Sequence, residues 1–203
     1  MSGAMSMLPI TIALLAAYAF AWIDFRGRDL LFVAVFALQI VPLQVTLIPL
    51  LSIYVDNGLA GSFWTVWLSH SIFALPLAIF MFHNFMKDIP RSLVEAARVD
   101  GAGHVGAFLR IFLPLSVPAA ATVAVFAFVW TWNDFQLPLV FLHSPENHTL
   151  ALGLAAFKGG PFSNTHVHLL MAASVLVIAP CIVVFFFAQR LFLVSVRVGG
   201  LKA

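Results

Sequence analysis

The amino-acid sequence predicts an all-α protein, a polytopic transmembrane helix bundle made by a single domain over residues 1–203. Three observations predict it. The chain is 63% hydrophobic and only 9% charged, whereas soluble domains run at roughly 45–50% and about 25%. Its apolar residues gather into five runs, each close to the roughly 20 residues that a helix needs to cross the hydrocarbon core. Nine of its ten Lys and Arg residues fall on one side if the chain crosses five times, the asymmetry that marks the cytoplasmic face. Lipid offers a backbone no hydrogen-bond partner, so the runs are helices rather than open strands.

The first run covers residues 5–23 and contains "MLPITIALLAAYAFAWI". It lacks a basic leader, so it reads as a span rather than a cleaved signal. Arg26 and Arg28 follow it. The second run, residues 30–54, is interrupted by Pro42 and Pro49 and ends at the Gly/Asn turn "DNGLAGS". The third, residues 63–85, carries Pro76 together with His70 and His83, which we expect to serve packing. Prolines within spans produce bends that neighbouring helices re-satisfy; such bends suit a gated path and a static bundle equally.

Between the third and fourth runs lies a polar cytoplasmic segment, residues 87–114, holding Lys87, Arg91, Arg98 and Arg110. "KDIPRSLVEAARVDGAG" predicts a short surface helix. Pro90 suits its first position, where the missing N–H costs nothing. Gly101 suits its end. Leu93, Ala96 and Ala97 recur at helical spacing as a small apolar face, and Arg91 and Glu95 are spaced to pair. After Gly103, the residues Val105, Phe108, Leu109 and Phe112 restart a helical stripe. The segment reads either as an amphipathic connector or as an alanine-faced knob for a cytoplasmic partner.

The fourth run, residues 112–132, begins near Pro114 and Pro118 and ends in "WTWNDF". Asn133 and Asp134 are polar at or near membrane depth, a functional pointer. With Trp130 and Trp132 they read either as interfacial anchors and helix caps or as lining of a translocation path. Residues 133–167 form a long external loop, irregular at Gly159, Gly160 and Pro161. Its His166 and His168 make an HxH pair near His148, too weak a pattern for a metal site without carboxylate or thiol support. The fifth run, residues 168–189, contains Pro180 and the single cysteine, Cys181, which can form no intrachain disulfide and suits helix packing. Arg190, Arg197 and Lys202 place the C-terminus with the cytoplasmic charges; only Lys158 lies opposite.

Glu95-Ala96-Ala97, then Gly101, then Ile111 and Leu113-Pro114 together resemble the EAA signature of bacterial ABC importer permeases. "IPRSLVEAARVDGAG", "FVWTWNDFQLPLVFL" and "QRLFLVSVRVGGLKA" are similar to the carbohydrate-importer branch, in particular the second permease of maltose-type and glycerol-phosphate-type systems. The likeness runs from about residue 8 onward. It implies the type I importer permease fold with a cytoplasmic coupling helix. Family members have six spans, so it also implies a leading helix that the five visible runs do not supply. It assigns ATPase coupling to Glu95, Ala96, Ala97, Arg98, Asp100 and Gly101, and contact with a solute-binding protein to Lys158, Gly159, Gly160 and Pro161. The implied partners are a second permease subunit, a cytoplasmic ATPase dimer and an extracellular or periplasmic binding protein, in the bacterial cytoplasmic membrane. No cofactor is expected on this chain, ATP being bound by the partner ATPase. The implied solute is a sugar, an oligosaccharide or a glycerol-phosphate-like compound.

Other function classes fit poorly. There is no GxxxxGK[ST] for nucleotide phosphates and no HExxH, nor a GxSxG nucleophile turn. A self-sufficient secondary transporter needs ionisable residues inside the membrane, and the five runs are nearly free of them. A net charge of +2 gives no reason to expect nucleic-acid binding.

Overall fold

The computed structural model describes residues 2–157 and 167–200, and every regular element among them is helical. In chain order the helices are α1 (Ser2–Trp22), α2 (Arg28–Ala37), α3 (Leu43–Asp56), α4 (Phe63–Lys87), α5 (Arg91–Val99), α6 (His104–Ala107), α7 (Leu113–Leu115), α8 (Val117–Asn133), α9 (Gln136–Phe141), α10 (Leu150–Ala156) and α11 (Val167–Gly200). A 3₁₀ turn, Leu38–Ile40, extends α2, and a π turn, Phe108–Phe112, joins α6 to α7.

The central element is α4, whose 25 residues extend about 37 Å at 1.5 Å per residue. It packs along α1 and also meets α2, α8 and α9. Each half of it anchors a separate apolar cluster. Towards its C-terminal end Phe82 and Met86 pack with Ala13 and Ala17 of α1 and Phe112 of the π turn, all fully buried or within 3% of it. Alanines on α1 remove the side-chain bulk that keeps helices apart. Towards the N-terminal end Val66 packs with Leu47 and Tyr54 of α3 and with Leu137 and Phe141 of α9. Tyr54 Oη lies 2.9 Å from Ser69 Oγ, which donates to the Thr65 carbonyl, so the hydroxyls are satisfied where burial makes an unpaired one costly.

Two of the five expected spans are not single straight helices. The second breaks at Val41–Pro42, and its halves lie at 97°. Proline disfavours the helical region for the residue before it, and Val41 accordingly sits at ψ 118 and Pro42 at ψ 133. Pro49, by contrast, stays inside α3, as Pro76 and Pro180 stay inside α4 and α11. The fourth run is the second half of a pair, His104–Leu115 and Val117–Asn133, bent by 64° at Ser116. Pro118 brings no N–H to the start of α8, and its ring opposes the carbonyl four residues back. By length and composition α4 and α11 cross a bilayer uninterrupted, and four crossings result if each bent pair is one span. Leu8–Trp22 of α1 is apolar but shorter.

Among the described residues, the expected external loop is largely helical and partly buried. Residues 136–141 form α9, with Leu137, Pro138 and Phe141 buried. A 3₁₀ turn, Pro145–Asn147, and α10 follow. Asn147 Nδ2 donates to the Gly61 carbonyl and the Gly61 N–H donates to the Phe141 carbonyl, so this segment is tied to the α3–α4 turn.

Along the most apolar eighteen residues of α11 no side chain is buried. It meets the bundle through α8 and α10, with Trp132 Nε1 donating to the Val177 carbonyl at 2.9 Å. Leu176 and Phe187 are over 70% exposed, a surface that suits lipid or another membrane chain and not water.

Candidate coupling segment and intramembrane groove

Helix α5 begins one residue later than expected: Pro90 is its N-cap, at ψ 133, and Arg91 its first residue. It ends as the glycine predicts. Gly101 takes φ +82, its N–H donates to the Arg98 carbonyl at 3.0 Å, and the Ala102 N–H donates to the Ala97 carbonyl at 2.9 Å. These two bonds are a Schellman closure. A Cβ on Gly101 would meet nothing within 4 Å, so the backbone angle alone demands glycine there.

The buried residue of α5 is Val94, 3% exposed; of the Leu93–Ala96–Ala97 face, Leu93 and Ala96 are exposed and Ala97 is half-buried. At 100° per residue, Arg91 and Arg98 lie within about 60° of Val94, and Glu95 stands at the edge of that arc, as far from Val94 as Leu93 is on the other side. Arg91, Glu95 and Arg98 line a cavity of about 570 Å³ with Ala21, Trp22, Asp24, Arg28 and Lys87. Ser92, Leu93, Ala96 and Asp100 lie on the opposite arc and are exposed. The expected Arg91–Glu95 pair does not form. The salt bridges among the described residues are Arg28 with Asp24, Arg28 with Asp29, and His70 with Asp134.

The second half of the segment is clamped to α1. Tyr18 Oη donates to the His104 carbonyl at 3.2 Å and lies 3.1 Å from His104 Nδ1. The Tyr18 ring meets Phe108 and Phe112 edge-on at 5.3 and 4.9 Å. Trp22 covers Phe112 at 5.1 Å and donates Nε1–H to the Met86 carbonyl. The expected stripe therefore divides: Phe108 and Phe112 face the bundle, while Val105 and Leu109 are 73% and 53% exposed. The wide turn at Phe108–Phe112 shifts the register between the two faces; such turns recur at functional sites.

The three residues proposed from the aromatic-polar end of α8 do not share one site. Trp130 lines a groove of about 520 Å³ with Gln39, Pro42, Thr46, Pro49, Phe73 and Pro76, among others. The groove opens where the second span breaks, and Gln39 Nε2 donates to the Phe73 carbonyl across it. Asn133 faces α11, its Nδ2 donating to the Val129 carbonyl and lying 3.9 Å from Cys181 Sγ. Asp134 turns inward. Its Oδ1 accepts from the Gln136 and Leu137 N–H groups, capping α9. Its Oδ2 stands 3.1 Å from His70 Nε2. That contact lacks hydrogen-bond alignment, and neither buried atom has another partner. Sixty-four residues separate the two in sequence, so no motif announced the pair. The second histidine, His83, is 5% exposed and packs on Phe32 with ring centroids 4.1 Å apart.

Lys158, Gly159, Gly160, Pro161 and His166 lie outside the described residues. Among the described residues no group of three His, Cys, Asp or Glu side chains is placed to hold a metal.

Helices with lipid-grade exteriors, broken spans around a groove and a capped helix pair together define a polytopic membrane protein. The chain belongs to the family of binding-protein-dependent transport system inner membrane components, whose profile matches residues 10–198. It is 43% identical over 199 residues to the osmoprotective compounds uptake permease protein of Synechocystis sp., covering 98% of this chain and 66% of that protein. It is 40% identical over 206 residues to the alpha-glucoside transport system permease protein of Rhizobium meliloti, covering 97% and 53%. It is 34% identical over 197 residues to the arabinooligosaccharides transport system permease protein of Bacillus subtilis, covering 97% and 69%. The chain thus spans less than two thirds of the length of the first two relatives.

Proposed function

We propose that this chain is a membrane-spanning permease subunit of an ATP-driven importer, forming half of the path for a sugar or related solute. The observation that carries the reading is the α5 knob. It protrudes beyond the apolar helices, is closed by a Schellman turn at Gly101, and presents a small-residue arc away from the bundle. Small side chains permit a partner to approach closely, and the Tyr18–His104–Phe112 clamp carries displacement of the knob into α1. A separate cytoplasmic ATPase dimer supplies that displacement, with Glu95, Ala96, Ala97, Arg98, Asp100 and Gly101 as the coupling residues. A second permease subunit completes the path, and an extracytoplasmic solute-binding protein delivers the solute at Lys158, Gly159, Gly160 and Pro161. Residues 87–114 and the C-terminus are then cytoplasmic, and residues 133–167 face outward.

The names of the relatives support the solute class, two of the three being permeases for a glucoside and for oligosaccharides. The groove edged by Trp130 is our candidate for the path on this subunit. An indole face beside a glutamine suits a sugar ring, which is apolar on its faces and hydrogen-bonding at its rim. The test is co-purification of the ATPase with the permease pair, together with solute uptake. Glu95→Lys is expected to abolish both while the chain still inserts in the membrane. Normal uptake with a retained ATPase would overturn the coupling role.

A further inference from the structure

The cavity behind α5 shares Glu95 and Arg98 with the coupling set, but its other walls, among them Lys87 and Arg91, have no part in that role. Its walls come from three places: Ala21, Trp22, Asp24 and Arg28 at the end of α1 and the start of α2, Lys87 at the end of α4, and Arg91, Val94, Glu95 and Arg98 on α5. Four cations therefore face two carboxylates. Arg28 is already engaged, with Nη1 2.7 Å from Asp24 and Nε 3.1 Å from Asp29. That leaves Lys87, Arg91 and Arg98 against Glu95 alone, and none of these four takes part in the salt bridges among the described residues. A concave surface carrying like charges side by side raises the local concentration of anions.

The level of the cavity identifies the anion. Its floor lies where the apolar helices α1 and α4 stop, at Trp22 and Lys87, the depth at which indoles and long cations meet lipid headgroups. Trp22 is held there by its bond to the Met86 carbonyl. Ala21 and Val94 give the same cavity an apolar wall, so an occupant with a charged head and a greasy continuation matches it better than a hydrated ion. Basic pockets between membrane helices on the cytoplasmic side suit anionic headgroups.

We propose that this cavity is a phosphate-anion site occupied by the phosphodiester headgroup of an anionic phospholipid of the cytoplasmic leaflet. The lipid is wedged between the membrane body and α5, so it buttresses the knob from the side of the bundle. This goes beyond the permease reading and rests on it for the cytoplasmic placement of α5.

The test uses the assembled transporter, extracted from vesicles holding equal amounts of phosphatidylglycerol and phosphatidylcholine, with retained lipids weighed by native mass spectrometry. We expect the complex to retain phosphatidylglycerol preferentially. Lys87→Gln with Arg91→Gln is expected to lower that preference about thirtyfold, while Arg110→Gln, an exposed cation outside the cavity, leaves it unchanged. If the double variant does not assemble, each single variant is read in the same way, with a loss of about fivefold expected. Equal retention of the two lipids by the unaltered complex overturns the proposal. So does an undiminished preference in the cavity variants, or an equal loss in Arg110→Gln. Displacement of the lipid by millimolar inorganic phosphate would put a free anion in the cavity and overturn the lipid assignment.

Discussion

A substitution series at Gly101 separates a backbone requirement from a packing one. The residue sits at φ +82 with open space around its missing Cβ. Alanine therefore pays only the left-handed penalty, about 1–2 kcal/mol, and keeps the N–H that bonds the Arg98 carbonyl. Asparagine tolerates the left-handed region better and should cost less than alanine. Proline cannot reach a positive φ and removes the donor, so both closure bonds are lost, at about 3 kcal/mol or more. The expected order is Asn, Ala, Pro, from mildest to most severe. Because 1.4 kcal/mol is about tenfold in a population, alanine should lower the closed-to-open ratio of the knob about 5- to 30-fold and proline about 150-fold or more. The assay is solute uptake per ATP hydrolysed in proteoliposomes, normalised to assembled complex. Wild-type coupling in Gly101→Pro would refute the argument outright. Alanine as damaging as proline would refute the backbone account, because it would mean that a partner surface lies against Gly101.

Two further substitutions probe the connections behind the knob. Tyr18→Phe keeps the ring contacts with Phe108 and Phe112 but removes the hydroxyl at His104, a loss of about 1 kcal/mol; we expect ATP hydrolysis to persist while uptake per ATP falls, and an unchanged ratio would show that the clamp transmits nothing. Asp134→Ala uncaps α9 and leaves His70 facing no acceptor, at about 1–3 kcal/mol. Asp134→Asn keeps an oxygen for the cap, so its complex should melt between wild type and Asp134→Ala, and equal melting of all three would exclude a structural role for the pair.

The features legible in the sequence were those fixed by local chemistry. Gly101 was readable because only one residue type tolerates its angle, and the closing bonds follow from the chain itself. Pro42 and Pro118 were readable as interruptions, but the 97° and 64° angles were not. The angle at Pro42 depends on what receives the second half, and α3 is received by α9, a six-residue helix inside what reads as a loop. On α5 the period was legible, but not which of its faces meets the bundle. Leu93 and Val94 are adjacent apolar residues, and the position of the bundle decides which one is buried. Arg91 and Glu95 have pairing spacing, but both border a wide cavity where water competes for an exposed pair. The His70–Asp134 contact was illegible because it joins residues brought together only when α8 folds back along α4.

The knob closes through main-chain atoms and one glycine, and this bears on how such a subunit changes partners. Ser92, Leu93 and Ala96 contribute no bond to the Schellman turn, and the inward hold on α5 comes from Val94. The outward residues can therefore be exchanged without reshaping the helix that carries them. On the permease reading, the side chains that face a motor and the main-chain bonds that stiffen the helix are then largely different atoms, so Ser92, Leu93 and Ala96 can change while the mechanical frame stays as it was.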